Sequence, residues 1–409
     1  MFFARPDVVF IAAWGFVLAL YVPFPTNLTP PFDPSVAAML GFNMLTAPLI
    51  FYLVRRRMRA VEGPETSTPQ FRLSSLDVRL TTEFLQRAML VWISLYTVIV
   101  IYSGGLPVIW SLMGIAKSYG DFGIPTLGGF NNMLRCFLGV IFILLFVQTR
   151  RWIYLCGWFL FLLLYLAEVT RGGLFVFLGH SVAIFLLTAR MTFRRALLTV
   201  GFLLVGGIGF MGLGALRGIN FSASDFVESG YSLSGVSSGI FGIWIYVTTS
   251  LGNLNYAASL GLQPTFLPIN IVTPIFPTVI RGVLLPHTYP IPLVTPYFNT
   301  TTLYAPLVAD FGFLIATIVV SGFQALASYV YLRACRGSVF HLLLYPPLFV
   351  SLALSIIYIY MLSLVVLAYP WLCVWYRNYI LRRRADVLSG HAPQRPFQIN
   401  RHPSIREAP

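Results

Sequence analysis

Charge is scarce in this chain. Asp, Glu, Lys and Arg make up 10% of its 409 residues, where soluble proteins carry about a quarter, so an ordinary soluble domain is excluded. Lysine is rarer again: Lys117 is the single lysine among 27 basic residues, a bias with no structural account. The four cysteines, Cys136, Cys156, Cys335 and Cys373, stand apart with no CxxC spacing. That excludes a zinc motif or a disulfide framework and leaves them as small apolar fillers. The acids show no DxD or ExxH spacing, so no metal and no other cofactor is expected. No internal repeat is evident.

What the chain has is apolar length. Hydrophobic residues make up 57% and mean hydropathy is +0.80. Runs of roughly 20 apolar residues recur, long enough to cross a ~30 Å hydrocarbon core as helices. Ten spans are expected, at 8–24, 35–54, 84–103, 131–149, 152–168, 173–189, 196–214, 304–331, 341–357 and 359–377. The predicted fold class is an all-α polytopic membrane protein. It reads as a single transmembrane domain over 1–385 with a disordered, Pro- and Arg-rich tail at 386–409. No small-x-small cleavage site follows the first run, so that run is expected to stay as a helix.

The basic residues orient the spans. Of 27, 22 fall in alternating gaps, among them Arg55-Arg56-Arg57-Met58-Arg59, Arg150-Arg151, Arg190 with Arg194-Arg195, Arg333 with Arg336, and Arg382-Arg383-Arg384. The positive-inside rule makes those gaps cytoplasmic, with both termini on that side. The net charge of +14 therefore reflects topology and implies no nucleic-acid partner. The polar stretch 55–83 is expected to be a cytoplasmic loop.

Five cations, Lys117, Arg135, Arg171, Arg217 and Arg281, fall on the other side, where insertion asks for none. An anion is their economical partner: a phosphate, a lipid headgroup or an acidic sugar. Two segments there exceed what connection needs, 104–130 and the loop 215–303. Within the latter, Gly239–Leu251 is apolar but only 13 residues long, which suits a re-entrant or interfacial helix. Eight prolines follow between Pro264 and Pro296 and exclude regular helix or sheet.

Arg171 and Arg217 sit at outer helix ends beside glycines, and Arg281 lies in the Pro-rich loop. A guanidinium fork at each suits two oxygens of a diphosphate. For Glu168 and Arg171, three residues apart, an internal ion pair is the bland alternative. Asp310 lies one or two turns inside the eighth span, where a carboxylate needs a partner or a water-filled cavity. It is the candidate base, with an ion pair to Arg171 or Arg217 as the alternative. His287 is a second candidate base, although a lone loop histidine is more often solvated. His180, mid-membrane in the sixth span, reads as a hydrogen-bonded packing residue rather than a proton relay. Asn299, Thr301 and Tyr304 gather amide and hydroxyl groups suited to sugar hydroxyls.

These features together resemble the Wzy-type O-antigen polymerases, which join oligosaccharide repeat units. The resemblance rests on Gly104-Gly105-Leu106-Pro107, Tyr119-Gly120-Asp121-Phe122-Gly123-Ile124-Pro125, Thr170-Arg171-Gly172-Gly173, Arg217-Gly218, and Phe298-Asn299-Thr300-Thr301-Thr302 leading to Asp310-Phe311-Gly312, and it covers about 100–315. It implies a bacterial inner-membrane glycosyltransferase of GT-C-like fold with a periplasmic site. Such an enzyme moves a glycan from undecaprenyl diphosphate onto the next lipid-linked repeat unit without metal, in membrane lipid and in some cases beside a chain-length regulator. Arg171, Arg217 and Arg281 would hold the donor diphosphate; Asp310, His287 and Glu168 are the catalytic candidates. The alternatives are an O-antigen ligase-like transferase, whose external His-rich motif is missing here, and a flippase or transporter. A flippase calls for midplane charge and related halves, neither of which is visible.

Overall fold

The computed structural model describes residues 2–23, 28–62, 73–188, 238–276, 291–294 and 300–389, with positions 197, 201, 207 and 281. The chain is all-α, with no strand among the described residues. Its helices are α1 (Pro6–Tyr21), α2 (Pro34–Glu62), α3 (Ser75–Ser103), α4 (Pro107–Leu112), α5 (Leu127–Thr149), α6 (Trp152–Ala167), α7 (Arg171–Thr188), α8 (Ser238–Ser259), α9 (Ile269–Val272), α10 (Tyr304–Cys335), α11 (Val339–Ala353) and α12 (Leu364–Leu388). Among the described residues six segments are long and apolar enough to cross a membrane: 34–62, 75–112, 127–149, 171–188, 304–335 and 339–356. Two shorter apolar helices, α1 and α6, join them. The expected seventh span, 196–214, lies outside the described residues except at 197, 201 and 207.

Burial sorts these helices. The apolar window of α5 is 78% buried, whereas that of α3 is 17% buried. α5 is thus the central post, enclosed by α3, α6, α7 and α12, and α3 shows Leu90, Ile93, Val98 and Ile101 outward. On a water-soluble protein so much exposed apolar surface would drive association; here it is the face a bilayer covers. Close approach uses small residues. A Cβ on Gly139 of α5 would stand 2.3 Å from the Phe177 ring of α7.

Hydrogen bonds and ion pairs gather the arginine-rich helix ends. Glu62 at the end of α2 pairs with Arg333 at 2.7 Å and with Arg336. The Nε of Arg384 donates to Asp77 of α3 at 2.8 Å, and Leu73 N donates to Gln148 at 3.3 Å. α2 continues through the arginines to Glu62, and α3 starts at Ser75 with Ser74 as its cap. The expected loop over 55–83 therefore contracts to the segment between 62 and 75, because arginine is a good helix former and Glu62 has partners only if the helix reaches them. Likewise α12 runs to Leu388, past the expected end at 377 and the boundary at 385; residues 390–409 lie outside the described ones.

At the opposite end, α8 is longer than expected: 22 residues, Ser238–Ser259, where the sequence pointed to 13 over Gly239–Leu251. The polar residues that ended the apolar run are internal ties. Asn253 donates to Thr300 O at 2.8 Å and accepts from Val294 N at 2.9 Å. Asn255 accepts from Asp33 N at 3.0 Å and donates to the Tyr21 hydroxyl at 3.2 Å. Trp244 donates to Leu20 O at 3.2 Å, so α8 is tied to the end of α1, the start of α2, and Val294 and Thr300 before α10.

Candidate functional site

The end opposite the arginine-rich one is organised by a break in α10. Gly312 has φ 79° and ψ 173° inside the helix, a conformation essentially reserved for glycine. A helix broken there leaves carbonyls without their i+4 donors. The loop supplies them: Thr265 N donates to Ala309 O at 3.0 Å and Phe266 N to Asp310 O at 2.8 Å.

The Asp310 side chain continues the same docking. Its Oδ1 accepts from Asn270 N at 3.1 Å and Asn270 Nδ2 at 2.8 Å, and its Oδ2 accepts from Ile271 N at 2.9 Å. Asp310 has no exposed surface. The residue expected as catalytic base is in this structure bonded to the first turn of α9. The alternative, an ion pair with Arg171, is not formed: three N–H donors compensate the carboxylate instead. Arg217 lies outside the described residues, as do His287 and Asn299.

The segment anchored by Asp310 leads to a cavity of about 190 Å³, lined by Thr126, Gly129, Phe130 and Met133 at the start of α5, by Pro274, Phe276 and Arg281, and by Ser363, Leu364 and Val365 at the start of α12. Arg281 Nη2 donates to Phe276 O at 3.3 Å, while its Nε is buried without a partner. Thr126 also has a buried, unpartnered hydroxyl. It sits at φ 71° and ψ −50°, the centre of a γ-turn of the rare, strained hand closed by Leu127 N to Pro125 O at 2.8 Å. The first turns of two long helices, each with the positive end of its dipole, thus frame the same space as an arginine. Beside it, burial raises the Tyr358 phenol above its usual pKa, and Arg281 pulls the other way.

Glu168 and Arg171 do not pair with each other. An i,i+3 pair needs continuous helix, but α6 ends at Ala167, Val169 turns at φ 56°, and α7 starts at Arg171. Glu168 instead accepts from Arg135 of α5 at 2.6 Å, both side chains being buried. The Arg135 guanidinium lies 4.2 Å from the Tyr165 ring centroid, 5.4 Å from Tyr96 and 5.8 Å from Trp92. Arg171 is buried as well, with the phenols of Tyr119 and Tyr246 as neighbours and the latter within hydrogen-bonding reach. Lys117 donates to Ser103 O at 3.0 Å and lies over Trp110. The Tyr304 hydroxyl donates to Asn43 of α2 at 2.9 Å, so this expected sugar contact is a helix-to-helix tie. Thr301 lies nearby, half-buried.

The structure therefore assembles three separate arrangements at one end: Asp310 with the 264–271 loop, Arg281 with the cavity, and Arg171 beside the Arg135–Glu168 pair. Sequence reading missed Asn270 and Ile271 as partners of Asp310, Thr126 at the cavity, and Arg135 as the partner of Glu168. Only the last left a trace, as one of the five unexplained outer cations. Among the described residues no three His, Cys, Asp or Glu side chains gather. No protein-family model matches this chain, and neither a curated protein nor a solved structure matches it.

Proposed function

We propose that this chain is an inner-membrane glycosyltransferase that polymerises undecaprenyl-diphosphate-linked oligosaccharide repeat units at the end of the bundle bearing Arg171 and Arg281. The observation that carries the reading is the Arg281 cavity. A buried guanidinium N–H, a free hydroxyl and two helix N-terminal turns in one small space are the chemistry of an anion site. At about 190 Å³ it falls below the 300–1,000 Å³ of pockets that enclose whole small molecules. That size suits a diphosphate headgroup, with lipid and glycan lying outside it.

On this reading the acceptor sugar hydroxyl attacks the anomeric carbon of the donor. The carbon–oxygen bond to the lipid diphosphate breaks, and that diphosphate leaves with the bonding pair. Fixed positive charge is worth most where charge develops, on the leaving oxygen; Arg281 supplies it at the cavity, with Arg171 as a second cation at the same end of the bundle. The resemblance in the Thr170–Gly173 and Asn299–Gly312 stretches supports the substrate class. The periplasmic location follows from the positive-inside rule applied to the arginine-rich end. The proton of the acceptor hydroxyl passes to a group this reading leaves unassigned, since Asp310 is committed to α9.

Deletion of the gene in its native host tests the reading. Lipid-linked single repeat units should accumulate and long-chain surface polysaccharide should vanish. Normal polymer in the deletion strain would remove the proposal.

A further inference from the structure

We propose that the Arg135–Glu168 ion pair is a positioning device for Arg171, fixing the left-handed turn at Val169 and through it the place of the guanidinium at the start of α7. The inference rests on the reading of Arg171 as an anion-holding group.

Val169 is the odd residue. A β-branched side chain at φ 56° is a genuine outlier, and it is buried. Where this chain needs a left-handed residue after a helix it otherwise places glycine, at Gly104, Gly114, Gly261 and Gly337, with φ of 73°, 65°, 72° and 88°. Among the described residues the one other such end, Arg150 at φ 59°, is unbranched at Cβ. Strain of this kind persists only where the surroundings over-determine it.

The surroundings of Val169 do so from both sides. Upstream, Glu168 is held by Arg135, and Arg135 is held in turn by the faces of Tyr165, Tyr96 and Trp92. Tyr165 is itself fixed, donating to Asn132 and meeting Cys136 Sγ at 3.4 Å. Downstream, Gly173 lies flat against the same Tyr165 ring, where a Cβ would come within 2.8 Å. One tyrosine therefore backs both the ion pair and the first turn of α7, and the only backbone between them is the strained turn that ends on Arg171.

A buried ion pair is seldom the cheapest way to hold two helices together, since apolar residues of like volume serve as well. A buried pair beside a strained β-branched residue, two residues from a buried arginine, is accounted for by geometry that must be kept. Arg135 Nε and Nη1 remain without partners, so the guanidinium is not placed to maximise its own hydrogen bonding.

The test follows the guanidinium itself. Full-length protein in detergent is treated with phenylglyoxal, and modification of Arg171 and of the distant Arg333 is followed by mass spectrometry. Glu168→Asp keeps the charge but shortens its reach, while Val169→Gly lets the turn form without strain, so that it no longer needs the pair. Glu168→Asp is expected to raise the Arg171 rate several-fold with Arg333 unchanged, and Glu168→Asp combined with Val169→Gly to bring it back towards the parent's. A purely structural pair would move Arg171 only in proportion to stability. An unchanged Arg171 rate in Glu168→Asp, or a double variant as reactive as Glu168→Asp alone, overturns the proposal. Inorganic pyrophosphate examines the underlying reading separately. If it fails to slow Arg171 modification in the parent protein, the anion reading falls, while faster modification in Glu168→Asp, reversed in the double variant, still upholds the positioning.

Discussion

A carboxylate with no exposed surface and three N–H groups on its two oxygens is a fixed acceptor, and Asp310 is that residue here. Asparagine in its place would turn an amide toward groups that donate. Leaving a buried donor unsatisfied costs about 1–3 kcal/mol, so Asp310→Asn should lower the unfolding temperature and polymer formation together. Abolished polymer formation with an unchanged unfolding temperature would restore a chemical role to the carboxylate. Arg171 makes the opposite case. If its planar fork holds two phosphate oxygens, an ammonium cannot replace it, and Arg171→Lys should shorten polymer nearly as much as Arg171→Ala. Polymer of normal length from the lysine variant, at matched protein level, would leave only a point charge to explain.

The break in α10 and the loop docked on it are one element. Gly312 allows the break, the freed carbonyls of Ala309 and Asp310 capture Thr265 and Phe266, and the Asp310 side chain caps α9. Gly312→Ala puts a side chain where φ is 79°, a strain of about 1–3 kcal/mol. Limited proteolysis should then cut the 260–276 segment faster, and equal rates would deny the coupling. The Arg135–Glu168 pair joins α5 to the end of α6. Removing one partner of a buried pair typically costs about 3–5 kcal/mol, while replacing both by apolar residues is often neutral. Arg135→Met with Glu168→Leu should thus keep the unfolding temperature near the parent's and still lose activity. These elements explain what was legible in the sequence. Apolar runs gave the helices because a bilayer-length stretch is a local signal; Asp310 stood out as a carboxylate inside an apolar span, and Arg135 as one of the outer cations. Their partners did not. Asn270 is 40 residues from Asp310 and Glu168 is 33 from Arg135, and no local pattern records pairings at that distance. The full length of α8 was hidden for a related reason, because Asn253 and Asn255 read as a helix end until Thr300 and Asp33 appear beside them.

Over the whole molecule the two ends differ in kind. One is closed by arginine–carboxylate pairs among helix ends, at Glu62 with Arg333 and Arg336 and at Asp77 with Arg384. The other is covered by α8, α9 and irregular segments around the Arg281 cavity. If the positive-inside rule orients the bundle, single cysteines in a cysteine-free background should react with an impermeant maleimide at Asp121 in intact cells but not at Arg56 or Arg383. Labelling at Arg383 would invert the topology or change the number of crossings. The central claim concerns chemistry at the covered end, and reconstitution reaches it directly. Purified protein in liposomes is given a lipid-diphosphate-linked repeat unit as donor and acceptor, and products are resolved by length. The account predicts a ladder of repeat-unit multimers with one lipid diphosphate released per bond, abolished in Arg171→Ala and strongly reduced in Arg281→Ala. Translocation of the intact substrate across the bilayer with no ladder would contradict it.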